Sequence, residues 1–198
     1  RQPEKTLTLE QYLNKTISKQ RIDKGKDLYI KHKIKLDRIS KKYGVSAKYI
    51  LSIWGLETNY GSYTGGFNVI SSLTTLAFSS KRKVFYRKEL FNALKILDKK
   101  HISYKDMNGS WAGAMGQGQF MPSSFLAYAI DENKDNKIDI WNNLDDIFAS
   151  IANYLINHGW AVGAEWGEEV ILTRKINSKI VGLKHIESIN NWKKRGLL

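Results

Sequence analysis

The chain has 198 residues, 42% hydrophobic and 26% charged, which is enough for one domain with a full core and a small elaboration. It has no cysteine, which excludes disulfides, thiol catalysis and thiolate metal sites together, and no apolar run reaches the roughly 18 to 20 residues of a membrane span. Lys and Arg outnumber Asp and Glu 32 to 19, and the net charge of +13 attracts polyanions such as nucleic acid, anionic lipid or a carboxylate-bearing cell wall.

The basic residues are spread out: Lys19 to Lys33 early, Lys81 to Lys88 centrally, Lys193 to Arg195 at the end. A solvated, lysine-rich surface explains them as well as a specific anionic partner does. The opening Arg1-Gln2-Pro3-Glu4-Lys5 carries no secretory signal, and a start without Met reads as a trimmed form that leaves the compartment open.

In chain order, apolar spacing predicts a helix over 7–19 (Leu7, Leu9, Leu13, Ile17) and another over 24–44 (Leu28, Ile34, Leu36, Ile39, Tyr43), closed by Gly44. Ser46 reads as the cap of a third helix that runs to about Thr58. Further helices are expected near 69–78, 84–98, 122–131 and 143–157, the last followed by Gly159. Beyond residue 160 the pattern weakens. Glu169 to Leu172 reads as a short strand or irregular structure, and Asn190 to Leu198 shows no closing element, as though the natural chain ran on. The expectation is a mainly α fold in a single domain over 1–198, with a small glycine-rich hairpin. Residues 160–198 are expected to be irregular or the start of a truncated subdomain.

Two segments carry chemistry. In Ile50-Leu51-Ser52-Ile53-Trp54-Gly55-Leu56-Glu57, Glu57 shares a helix face with Ile50, Ile53 and Trp54. Desolvation by that face, and the negative end of the helix dipole, would both raise its pKa. A carboxyl group kept protonated near neutral pH is what a glycosidic oxygen requires of a general acid. The plain structural alternative is a helix-end glutamate paired with a lysine.

The second segment, Gly109 to Ser124, has glycines at 109, 113, 116 and 118 that permit tight turns and close backbone approach. Gln119 can donate and accept at once, which suits a sugar hydroxyl or acetamido group. Pro122 stands where a helix would begin. The alternative is a hairpin that only packs on the core.

Together, Trp54-Gly55-Leu56-Glu57-Thr58-Asn59-Tyr60-Gly61 and Gly113-Ala114-Met115-Gly116-Gln117-Gly118-Gln119-Phe120-Met121-Pro122-Ser123-Ser124 resemble the lytic murein transglycosylase B family. Leu76-Ala77-Phe78 with Lys81-Arg82, Phe85-Tyr86, Glu89-Leu90, Ile151-Ala152-Asn153-Tyr154 and His158-Gly159-Trp160 extend the likeness over roughly residues 10–170. The resemblance implies a lysozyme-like helical fold. It also implies cleavage of peptidoglycan between N-acetylmuramic acid and N-acetylglucosamine, leaving a 1,6-anhydro end. Glu57 would serve as acid and then base, and no cofactor is required. Carried over by position, Ser110, Gln119, Tyr154, Arg82 and Lys81 would bind substrate: Ser110 would hold the acetamido group and the acid, Gln119 and Tyr154 would contact sugars, and Arg82 with Lys81 would meet the acidic lactyl-peptide arm. As alternatives, Tyr154 at helical spacing from Ile147 and Ile151 could be core, and Lys81-Arg82 a solvated pair. The aromatic, Asn-containing segment with which family members close the groove is missing after residue 170.

Asp131, Asn133, Asp135 and Asp139 fall at the first, third, fifth and ninth positions of an EF-hand-like loop, with a carbonyl from Lys137. By the resemblance, Asp145 supplies the late acidic ligand of a structural Ca2+. The alternative is a polar connection without metal. The histidines at 32, 101, 158 and 185 lack metal-ligand spacing, and His158 reads as structural.

The resemblance places the chain in the periplasm or cell envelope as a monomer acting on glycan strands, with outer-membrane association and a lipid anchor left open. No nucleic-acid motif accompanies the positive charge. Two further readings stay open: a peptidoglycan-binding scaffold that has lost activity, and a hydrolytic lysozyme.

Overall fold

Ile147-Phe148-Ala149-Ser150-Ile151-Ala152 is buried on every side and becomes the helix around which the fold is built. Residues 7–163, 165–167, 169–182 and 185–197 are described by a computed structural model of the chain. The opening Arg1 to Lys5 and the terminal Leu198 lie outside the described residues. The chain forms two units, Arg1–Gly163 and Ala164–Leu198.

The first unit contains α1 (Leu9–Thr16), α2 (Lys19–Lys31), α3 (Lys33–Tyr43), α4 (Ala47–Thr58), α5 (Val69–Ser79), α6 (Lys83–Asp98), α7 (Pro122–Tyr128) and α8 (Leu144–Asn157). Thr8 and Gln11 form a reciprocal capping box at α1. The helix expected over 24–44 is instead two. Ser18 accepts from Arg21 N at 3.2 Å and starts α2 five residues early, and the chain breaks at His32. No Gly or Pro marks that break. It is made by packing, since the His32 ring stands edge-on to Trp54 at 6.3 Å and Phe148 at 6.4 Å. Gly44 closes α3 in the left-handed region (φ 67°), as its position predicts.

α8 packs against α3, α4 and α7, while α5 and α6 pack on each other and α6 also packs on α7. Phe148, Ile147 and Ile151 fill the centre, each contributing about 2 kcal/mol by burial. Strands β1 (Phe67–Asn68) and β2 (Asn108–Gly109) pair antiparallel, with Phe67 opposite Gly109 and Asn68 opposite Asn108. The glycine-rich segment continues that ladder through single bridges from Gly109 to Met115 and from Met115 to Phe120.

In the second unit, α9 (Ile189–Lys194) is capped by Ser188, which accepts from Asn191 N at 3.3 Å. No helix was expected over this stretch from the sequence. Glu169 to Leu172 forms no strand: Leu172 makes one bridge, to Leu197, and Thr173 N donates to Gly196 O at 2.9 Å. A buried partner strand is needed to organise such a short apolar run, and 35 residues provide little core for one.

Candidate active site

Glu57 occupies the last turn of α4, and a set of hydrogen bonds decides where that turn points. Thr58, 2% exposed, donates its hydroxyl proton to Gln117 O at 2.8 Å and accepts from Gly61 N at 3.0 Å. Trp54 Nε1 donates to Gln117 Oε1 at 2.7 Å, and Gln117 Nε2 donates to Trp141 O at 2.6 Å. Gln117 thus staples the helix end to the glycine-rich segment. The chain must pass close to it: a Cβ on Gly61, whose φ is +75°, would lie 2.2 Å from Gln117 Oε1. Asn59 and Tyr60 follow in left-handed conformation, and Tyr60 folds back to donate to Arg21 O at 3.0 Å.

The turn delivers Glu57 to the junction of two half-grooves, both of which it lines. One, of about 310 Å³, is walled by Ile53, Gln119, Phe120, Met121, Ser124 and Tyr154. The other, of about 150 Å³, is walled by Tyr63, Phe67, Ser110, Trp111 and Gln119. Glu57 is an exposed residue at the groove, and the side chains packed beside it still desolvate its carboxyl group enough to raise its pKa. Ile50 and Trp54, expected on the same face, are buried beneath it, and Ile53 forms groove wall. Among the described residues no cation pairs with Glu57, and no second carboxylate lines either half-groove.

A larger trough of about 820 Å³ lies between α2 and α4, lined by apolar side chains with Arg21, Lys26 and Lys48 but no acid. Size does not select the site here. The groove that holds a desolvated acid among sugar-sized polar and aromatic groups has the chemistry.

Ser110 Oγ accepts from Ala114 N at 3.0 Å, which leaves its own proton to donate into the smaller half-groove. Gln119, held at φ 50°, donates both amide hydrogens inward, to Thr64 O at 3.1 Å and Gly116 O at 3.0 Å. Only its carbonyl oxygen is left to meet a ligand, so the dual donor and acceptor read from the sequence is reduced to an acceptor. Tyr154 lines the larger half-groove, stacked on His158 at 4.0 Å and edge-on to Phe120 at 5.7 Å. Lys81 and Arg82 line neither half-groove. Both are exposed before α6, with the Arg82 guanidinium 4.1 Å from the Phe85 ring centroid. Tyr63 and Phe67 were not singled out by sequence. Their signal was an exposed-aromatic cluster just after the Glu57 motif.

The anticipated calcium loop is held by hydrogen bonds among its own residues. Asp131 accepts from Asp135 N and Asn136 N at 3.2 and 2.8 Å, Asn133 Nδ2 donates to Asp135 Oδ2 at 2.8 Å, and Lys137 N donates to Asp135 Oδ1 at 2.9 Å. Asp145 faces the other way, bound to Lys35 and, at 2.5 Å, to Arg38. The residue that turns into the loop is its neighbour Asp146, fully buried, accepting from Glu132 N and Asp139 N at 2.8 Å each. One position along a helix rotates a side chain by about 100°, enough to exchange the two roles. Among the described residues no group of three or more His, Cys, Asp or Glu side chains that could hold a metal ion is assembled. This loop ties α8 to its preceding turn through Asp146.

A helical unit with a groove laid across one desolvated carboxyl group is a lysozyme-like fold. The chain belongs to the transglycosylase SLT domain family, which it matches over residues 1–198. It is 35% identical to membrane-bound lytic murein transglycosylase B of Escherichia coli (strain K12) over 153 residues, 77% of this chain and 42% of that protein. Crystallised SltB3 from Pseudomonas aeruginosa in complex with NAG-anhNAM-pentapeptide is 38% identical, with a TM-score of 0.93 over 97% of this chain and 51% of that one. Escherichia coli Slt35 in complex with calcium is 32% identical, with a TM-score of 0.81 over 94% of this chain and 59% of that one. The chain therefore spans about half the length of these relatives.

Proposed function

We propose that this chain is a peptidoglycan lytic transglycosylase that cleaves the β-1,4 bond between N-acetylmuramic acid and N-acetylglucosamine. The observation that carries the reading is a lone, desolvated carboxyl group between two sugar-sized half-grooves. Protonated Glu57 gives its proton to the glycosidic oxygen as the bond to muramyl C1 breaks. The resulting carboxylate takes the proton of the muramyl C6 hydroxyl, whose oxygen closes on C1. No water is consumed, and the product ends in 1,6-anhydromuramic acid. Hydrolytic glycosidases generally use a second carboxylate to activate water or to form a covalent intermediate. The lack of one among the described lining residues supports a nucleophile supplied by the substrate. The anhydro-muramyl ligand in the SltB3 complex supports the same product class.

In this reading Ser110 donates to the acetamido oxygen, Gln119 accepts from a sugar hydroxyl, and Tyr154, Tyr63 and Trp111 offer ring faces or edges to the pyranoses. Lys81 and Arg82 keep the role of meeting the acidic peptide arm from outside the half-grooves. The chemistry calls for no cofactor, and a murein substrate implies an envelope location.

The test is Glu57→Gln with mass spectrometry of products from purified sacculi. The wild type should release ends one water lighter than hydrolysed ends. The variant should still bind glycan and release about a thousandfold less or lower. Hydrolysed ends from the wild type would make the protein a lysozyme, and full activity in the variant would remove Glu57 from the chemistry.

A further inference from the structure

A second glutamate is buried, where Glu57 is exposed, and is left unused by the mechanism above. Glu89 is 2% exposed and sits on the inward stripe of α6 with Tyr86, Ala93 and Ile96. A carboxylate in such a stripe is costly unless hydrogen bonds replace its water. Among the described residues no Lys, Arg or His pairs with it. Its partner is the backbone: Ser123 N donates to Glu89 Oε2 at 2.8 Å.

The location of that donor gives the contact its meaning. Pro122 opens α7 and has no N–H, so Ser123 carries the first amide that the helix start can offer. The unsatisfied amides and the positive end of the helix dipole lie there, the environment a carboxylate prefers. Immediately around this point the same backbone supplies Phe120, Met121 and Ser124, three walls of the larger half-groove beside Glu57. Shifting Ser123 shifts all three.

We infer that Glu89 is a positioning residue: through Ser123 N it fixes the first turn of α7, and so sets the depth and alignment of the sugar-binding wall facing Glu57. The inference rests on the proposed glycan-cleaving function. It assigns Glu89 no contact with substrate.

The experiment compares Glu89→Gln, Glu89→Leu and Glu89→Asp on soluble glycan strands, with kcat and KM measured per folded molecule. Gln keeps the length and an acceptor oxygen, Leu keeps the bulk without an acceptor, and Asp keeps the charge but shortens the reach. E89Q should hold KM and kcat within about twofold, while E89L raises KM about tenfold, because small misplacements of a binding wall are costly. E89D should raise KM by an intermediate, about threefold factor for the same reason. A merely structural role would lower the melting temperature of E89L and leave KM unchanged. That result overturns the inference. Equal damage in E89Q and E89L also overturns it, since charge and not the bond to Ser123 would then matter. Should E89L fail to fold, E89D decides alone, and an unchanged KM refutes positioning. Wild-type turnover run alongside shows separately whether the parent reading holds.

Discussion

Glu57 is an acid whose strength is set by what crowds it and not by what binds it. Desolvation alone raises its pKa, with no paired cation among the described residues to pull it back. The sign for activity follows. A carboxyl group with a raised pKa stays protonated to higher pH than free glutamate, whose pKa is about 4.3. Turnover should therefore persist below the raised value and fall as pH climbs through it. A pH profile of anhydro-end release should show that falling limb as a single ionisation, and a profile flat on its alkaline side would count against Glu57 as the acid. The same scale governs the calcium loop, where Asp145 and Asp146 differ by one position and face opposite environments, one ion-paired with Lys35 and Arg38, the other buried on backbone amides.

At the scale of elements, what matters is how the end of α4 is aimed. Thr58 and Gln117 join that helix to the glycine-rich segment, so the acid and the groove wall move together. Thr58→Val keeps the shape and removes both hydrogen bonds, leaving Gln117 O and Gly61 N without this partner. The expected cost is about 2 kcal/mol of stability in a urea titration, the usual scale for buried unsatisfied groups. Turnover should fall about tenfold even where the variant is fully folded, because the carboxyl group loses its alignment. Wild-type turnover from folded T58V would show that the staple serves stability alone. Much of this arrangement was legible in the chain. Gly44 and Pro122 mark boundaries by their own backbone preferences, and α5, α6, α7 and α8 begin within one residue of their predicted starts. The break at His32 was not legible, because it depends on Trp54 and Phe148, distant in sequence.

At the scale of the molecule, the charge of +13 would, under the proposed function, meet a substrate polymer that bears carboxylates. Long-range attraction between exposed charges is screened within about 10 Å at 0.1 M salt, so binding of E57Q to sacculi should weaken about tenfold between roughly 0.05 and 0.5 M NaCl. Binding indifferent to salt would mean that the groove contacts alone hold the glycan and that the charge is solvation. The two units also differ in kind. The first unit holds one apolar core drawn from residues between Leu28 and Trp160, whereas Trp166, Ile171, Ile186 and Ile189 in the second unit are largely exposed. That unit has too little buried area to dictate strands, which is why its pattern faded in the sequence.

The amino-acid order by itself determined most of the helical segments up to Asn157, that one glutamate rides the edge of an apolar face, and that a glycine-rich stretch would lie where backbone must come close. These are local properties, carried by periodicity, capping and φ preference, and need no distant partner to be read. Only the tertiary structure decided that Glu57 stands between two half-grooves, that Gln119 can offer an oxygen but no hydrogen, that Asp146 and not Asp145 turns into the loop, and that Lys81 and Arg82 stay outside the walls. Each depends on where a side chain's hydrogen-bond partner sits in space, and those partners come from elements as far apart in sequence as α4 and the segment before α7.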